Sequence, residues 1–71
     1  MKKLTRKQEY VFDYIKWFLI VNRFPPTIRE IQKDLKFKYP NSVFSILCSL
    51  EEKQYISIQK NKSRTIKIIN W

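Results

Sequence analysis

Fifteen lysines and arginines against six aspartates and glutamates set the chemistry open to this chain. Many of the cations cluster: Arg6-Lys7, Lys36 and Lys38 around one phenylalanine, and Lys60, Lys62 and Arg64 on alternate positions. A formal charge of +9 on 71 residues is a large positive field. It attracts polyanions, nucleic acid first and an anionic membrane second, although lysine-rich surfaces also serve solubility alone. The usual catalytic groups are missing. There is no histidine and one cysteine, Cys48, so a zinc site lacks ligands and a histidine-based triad lacks its base. Without any glycine, no Gly-rich phosphate loop can form. The expectation is a binding protein, not an enzyme, with no metal and no cofactor.

The elements that must carry these cations are legible from spacing. Thr5 followed by Gln8 has the form of a capping box, and so has Thr27 followed by Glu30. After the first, Gln8, Val11, Phe12, Ile15, Phe18 and Leu19 share one side of a helix over about 5–22, ended by Phe24-Pro25-Pro26. After the second, Ile28, Ile31 and Leu35 give a short helix over about 27–36, too short to stand alone. Lys36 to Tyr39 form a turn in which Phe37 plugs the core. Pro40 suits the first turn of a third helix over about 40–53, with Val43, Ile46, Leu47 and Leu50 inward. Asn41, Ser45, Cys48 and Glu52 lie opposite, so the outward half near Pro40 is polar and uncharged, as suits a helix end that meets phosphates or bases.

Beyond Gln54 the period changes to two. Tyr55-Ile56-Ser57-Ile58-Gln59 and Thr65-Ile66-Lys67-Ile68 alternate around a basic tip, giving a β-hairpin over about 55–69 with Ile56, Ile58, Ile66 and Ile68 inward. Three helices followed by a two-stranded hairpin make an α+β, mainly α, winged helix-turn-helix in a single domain spanning 1–71. A domain this small buries only about 60% of its unfolded surface. No apolar run approaches the roughly 20 residues of a membrane span, and no secretory segment follows the basic N-terminus. One cysteine allows no internal disulfide, so a reducing, cytoplasmic setting is expected, in a bacterium or on DNA brought by a phage or plasmid.

A family resemblance rests on particular residues. Leu4-Thr5-Arg6-Lys7-Gln8, Val11-Phe12, Ile15, Pro25-Pro26-Thr27, Glu30-Ile31, Leu35, Phe37, Pro40-Asn41, Leu47, Leu50 and Lys53 resemble the N-terminal DNA-binding domain of LexA repressors. The likeness continues through Ile56, Ile58, Ser63-Arg64 and Ile66. It implies a winged helix-turn-helix that binds double-stranded operator DNA, typically palindromic, as a dimer and represses transcription. It places base-reading roles on Tyr39, Asn41, Ser42, Phe44 and Ser45. Arg6, Lys7, Thr27, Arg29, Lys36 and Lys38, with Lys60, Lys62 and Arg64 at the wing tip, are the candidates for the DNA backbone.

The departures from the family matter. The residues to Trp71 include neither the Ser/Lys pair of the family's self-cleaving second domain nor its dimer surface, so a domain standing alone is expected. Lys36, Gln54 and Asn61 stand at or near places where the family usually has glycine, which predicts non-glycine residues at positive φ. Tyr39, Phe44 and Ser45 break the family's pattern of a serine and acidic residues, which puts the usual operator in doubt.

The first helix also carries a second apolar stripe: Tyr10, Tyr14, Trp17 and Val21, with Ile20 beside it. Either it covers the hairpin and the C-terminal Ile69-Asn70-Trp71, or it is the face of a homodimer or of a protein partner. The alternative function is accordingly a protein-interaction winged helix, an inhibitor or assembly factor acting through this face. Membrane binding ranks last because Glu9 and Asp13 interrupt the apolar surface. No small-molecule substrate is implied.

Overall fold

The computed structural model describes residues 3–59 and 65–70. Its elements are α1 (Arg6–Asn22), α2 (Ile28–Asp34), α3 (Pro40–Glu52), β1 (Ile56–Ser57) and β2 (Lys67–Ile68). This is a winged helix-turn-helix, mainly helical. The two strands pair antiparallel, Ile56 opposite Ile68 and Ser57 opposite Lys67.

Both capping boxes form. Thr5 Oγ1 accepts from the Gln8 N–H at 3.2 Å while Gln8 Oε1 accepts from the Thr5 N–H at 3.1 Å. At α2 the reciprocal pair joins Thr27 and Glu30, at 3.1 and 2.8 Å. Each box satisfies two donors that a helix start otherwise leaves unpaired. Tyr39, by contrast, precedes α3 without a side-chain cap, and Pro40 removes one N–H by having none.

The inward stripe of α3, Val43, Leu47 and Leu50, is fully buried among Val11, Phe12 and Ile15 of α1, Ile31 of α2, and Ile56, Ile66 and Ile68 of the wing. No polar or charged residue is buried among the described residues, so the core holds by apolar burial alone, at roughly 25 cal/mol per Å² removed from water. Polar groups stitch the elements together at the rim. Lys53 Nζ, just past α3, donates to Gln8 Oε1 at 2.6 Å and to the Lys3 carbonyl at 2.9 Å. The end of α3 is thereby tied to the start of α1.

Two helices end in the same way. After α2 the Phe37 N–H reaches back to the Gln32 carbonyl at 2.9 Å and the Lys36 N–H to that of Lys33 at 3.3 Å. After α3 the Tyr55 N–H reaches Leu50 and the Gln54 N–H reaches Glu51, both at 3.0 Å. These are Schellman motifs, whose pivot residue is left-handed and usually glycine. Here the pivots are Lys36 at φ 58° and Gln54 at φ 66°. The sequence expectation of positive φ at these two positions holds; Asn61 lies outside the described residues. Arg23, at φ 68° after α1, is a third such residue and was not anticipated.

Two boundaries differ from the spacing. The second helix is shorter than 27–36: Thr27 is its cap, and the Schellman turn takes Lys36 out of the helix. Strand pairing spans two residues a side because the Ile58 N–H is taken by the Glu51 carboxylate at 3.0 Å instead of by a strand carbonyl. The inward alternation nonetheless continues, with Ile66 buried and Ile58 packed on the core.

A left-handed non-glycine residue costs about 1–2 kcal/mol, offset by the roughly 0.5–1 kcal/mol of extra chain entropy that glycine brings to the unfolded state. Lys36→Gly and Gln54→Gly are therefore each expected to stabilise the domain by about 0.5–1 kcal/mol. In thermal unfolding that is a rise of several degrees at this size. Lys36→Val and Gln54→Val should move the transition the other way.

Candidate nucleic-acid interface

Asn41, Ser42, Phe44 and Ser45 all stand on the solvent side of α3, in its first two turns. Phe44 is 48% exposed and Tyr39, at the N-cap, 58%. Phe44 therefore does not tuck into the helix-turn-helix, because Val43 and Leu47 fill the inward positions on either side of it. Asn41, Ser42 and Ser45 make no side-chain hydrogen bond among the described residues, so their donors and acceptors face water. All five candidate base readers are thus on the open surface at one end of one helix.

The candidate backbone contacts bracket that helix. Lys36 and Lys38 precede its N-terminus, both exposed, with Lys38 Nζ 5.5 Å from the centre of the Tyr39 ring. Arg6 and Lys7, also exposed, start α1, whose first turn is held beside the far end of α3 by the Lys53–Gln8 bond. Thirteen helical residues span about 20 Å, so cations at the two ends are separated by more than the ~12 Å width of a major groove. Arg29 is exposed in the first turn of α2. Thr27 is half-buried; its hydroxyl accepts from Glu30 but keeps its own proton to donate. Lys60, Lys62 and Arg64 lie outside the described residues. Among the described residues, Lys16 pairs with Asp13 at 3.3 Å on α1, and none of Arg6, Lys7, Arg29, Lys36 and Lys38 is held in an ion pair.

The second stripe of α1 divides. Tyr10, Trp17, Ile20 and Val21 are 54% to 64% exposed, and Phe24 adds to them just beyond the helix. Tyr14 does not belong with them. It is half-buried, its ring packs beside Phe18 at 5.8 Å, and its hydroxyl donates to the Asp34 carboxylate at the end of α2. Its helical position borders the core stripe, which turns it towards α2. The rings of Trp17 contact Tyr14 and Phe18 of the same helix; Trp71 lies outside the described residues.

Spacing could not have found the Tyr14–Asp34 link, since the two are 20 residues apart with no local signal. The same holds for Lys53–Gln8, at 45 residues. Among the described residues no cluster of histidine, cysteine, aspartate or glutamate could hold a metal, and no helix is long and apolar enough to cross a membrane.

A three-helix winged fold with a polar, uncharged outward face on α3 and cations at both ends is the layout of a helix-turn-helix DNA reader. The chain belongs to the LexA DNA-binding domain family, whose model matches residues 1–65. It is 44% identical over 69 residues to the LexA repressor of Petrotoga mobilis, covering 97% of this chain and 33% of that protein. With the LexA repressor of Desulfatibacillum aliphaticivorans it shares 39% over 69 residues, covering 97% and 34% respectively. With that of Staphylococcus haemolyticus it shares 36% over 70 residues, covering 99% and 34%. The chain therefore spans about a third of the length of these curated relatives. The match is to a DNA-binding domain, not to a catalytic one.

Burial first, then the hydrogen bond and charge of Asp34 and the charge of Glu30, hold the Tyr14 phenol well above its usual range. Its folded state keeps the proton that the unfolded chain releases near pH 10. The unfolded state then binds fewer protons, so this contribution is intact below about pH 10 and declines as the pH rises above it. Tyr14→Phe should cost about 0.5–1.5 kcal/mol at neutral pH. That difference from wild type should shrink in urea unfolding above about pH 10.

Proposed function

We propose that this chain is the DNA-binding unit of a sequence-specific transcriptional repressor. It sets α3 in the major groove, with Tyr39, Asn41, Ser42, Phe44 and Ser45 towards base edges and the wing on the backbone. The observation that carries the reading is the outward face of α3: polar or aromatic, uncharged near Pro40, and bracketed by exposed cations. Membership of the LexA DNA-binding domain family, and relatives named as repressors, support it. Arg6, Lys7, Thr27, Arg29, Lys36 and Lys38 supply phosphate contacts, and Lys60, Lys62 and Arg64 do the same from the wing.

Two copies on a palindromic operator follow from the two-fold logic of helix-turn-helix readers, with half-sites about one helical turn apart. The exposed Tyr10, Trp17, Ile20 and Val21 favour a protein contact through α1, either between two copies or with another protein. The same stripe supports the second reading, an interaction module that acts on a protein instead of on DNA. The setting is the bacterial cytoplasm.

Selection of duplexes from a random pool at physiological salt, followed by titration, separates the two. The repressor reading expects one enriched palindrome, bound about 10³-fold or more above random duplex. With about six or more of these groups on phosphate, its affinity should fall by about 10³-fold or more between roughly 50 and 200 mM salt. Trp17→Glu should leave the fold intact and weaken binding to the palindrome more than to a single half-site. No enrichment, with weak binding that disappears as salt rises, would overturn the repressor reading in favour of the interaction module.

A further inference from the structure

The outward face of α3 is restricted in what it can read. Arginine and lysine are the usual bidentate readers of guanine, and aspartate or glutamate accepts from the cytosine amino group. From Pro40 to Glu52 there is no arginine or lysine at all. The two carboxylates, Glu51 and Glu52, occupy the last turn, about 16 Å along the axis from Pro40, and Glu51 is engaged by the Ile58 N–H. Lys38, the nearest cation before the helix, has its ammonium over the Tyr39 ring.

What remains in reach is Tyr39, Asn41, Ser42, Phe44 and Ser45, all exposed. The i, i+3, i+4 spacing of Asn41, Phe44 and Ser45 puts those three side by side on one face. An asparagine amide matches adenine N6 and N7, an aromatic ring packs on the C5-methyl of thymine, and serine accepts either base. Resting on the major-groove reading above, we propose that this helix selects A·T pairs: Asn41 reads an adenine while Phe44 packs on the methyl of a neighbouring thymine. Phe44 is the specificity-determining residue of this chain. Ser42 and Ser45 tolerate either pair, so no guanine or cytosine is required beneath the first two turns of α3.

Replacing one thymine at a time by deoxyuridine in the selected duplex tests this directly, because it deletes the methyl and keeps every hydrogen-bonding group. One thymine per half-site should lose about fourfold in affinity on replacement, the factor that burying one methyl supplies. Phe44→Ala should bind the thymine duplex more weakly by a similar factor and be indifferent to the uracil exchange. Phe44→Leu should keep the sensitivity. Phe44 is exposed, so both variants should fold, which circular dichroism checks. An enriched site centred on G·C under α3, or one unaffected by any uracil exchange, would overturn this inference and leave the repressor reading standing. A selection that enriches nothing would overturn both.

Discussion

Both other helices and the first strand of the wing rest on the inward stripe of α3. Val43, Leu47 and Leu50 are completely buried, and α1, α2 and β1 each pack on them. One helix thus does two jobs on opposite faces: its inner side closes the only core among the described residues, and its outer side, with Tyr39 at the N-cap, carries every candidate base reader. The coupling is geometric. Moving α3 to improve an outward contact would open a core that, at this size, leaves little stability to spare. The rim bonds oppose such a shift. Lys53 fixes the end of α3 to the start of α1, Glu51 holds the wing through the Ile58 N–H, and Tyr14 holds the end of α2 through Asp34.

The charge distribution follows the same division. The core contains no charge, and Arg6, Lys7, Arg29, Lys36 and Lys38 stand exposed at helix ends and turns, whereas Lys16 is paired with Asp13 in mid-α1 and Lys67 lies on β2. On the function proposed above, cations around an uncharged face would supply affinity, and Asn41, Phe44 and Ser45 would supply specificity. A glycine-free chain also leaves each of its three helices through a left-handed non-glycine residue, Arg23, Lys36 and Gln54. Lys36 thereby sits at a left-handed turn shortly before α3, among the cations nearest its N-terminus.

Much of this was legible from the residues. Two Thr-x-x-Gln/Glu boxes and three prolines marked where the three helices begin and where α1 ends, and apolar spacing gave the core faces, because both signals are local. The outward set of α3 was readable for the same reason, since it is the complement of the buried stripe. The strain at Lys36 and Gln54 was visible only through the family resemblance. Contacts distant in sequence were not legible: Tyr14 looked like a member of the exposed α1 stripe until Asp34 was seen beside it, and no local signal pairs Lys53 with Gln8. The strands read too long because alternation reports which face is buried, and says nothing of whether Ile58 pairs with a strand or with Glu51.

The central claim is that the outward face of α3 is the surface that meets DNA. Backbone amide chemical shifts, followed as a short mixed-sequence duplex is titrated at low salt, test it most directly. The account predicts the largest changes at Tyr39, Asn41, Ser42, Phe44 and Ser45, with smaller ones at Arg29 and Lys36. Changes concentrated on Tyr10, Trp17, Ile20 and Val21, with α3 unmoved, would contradict it.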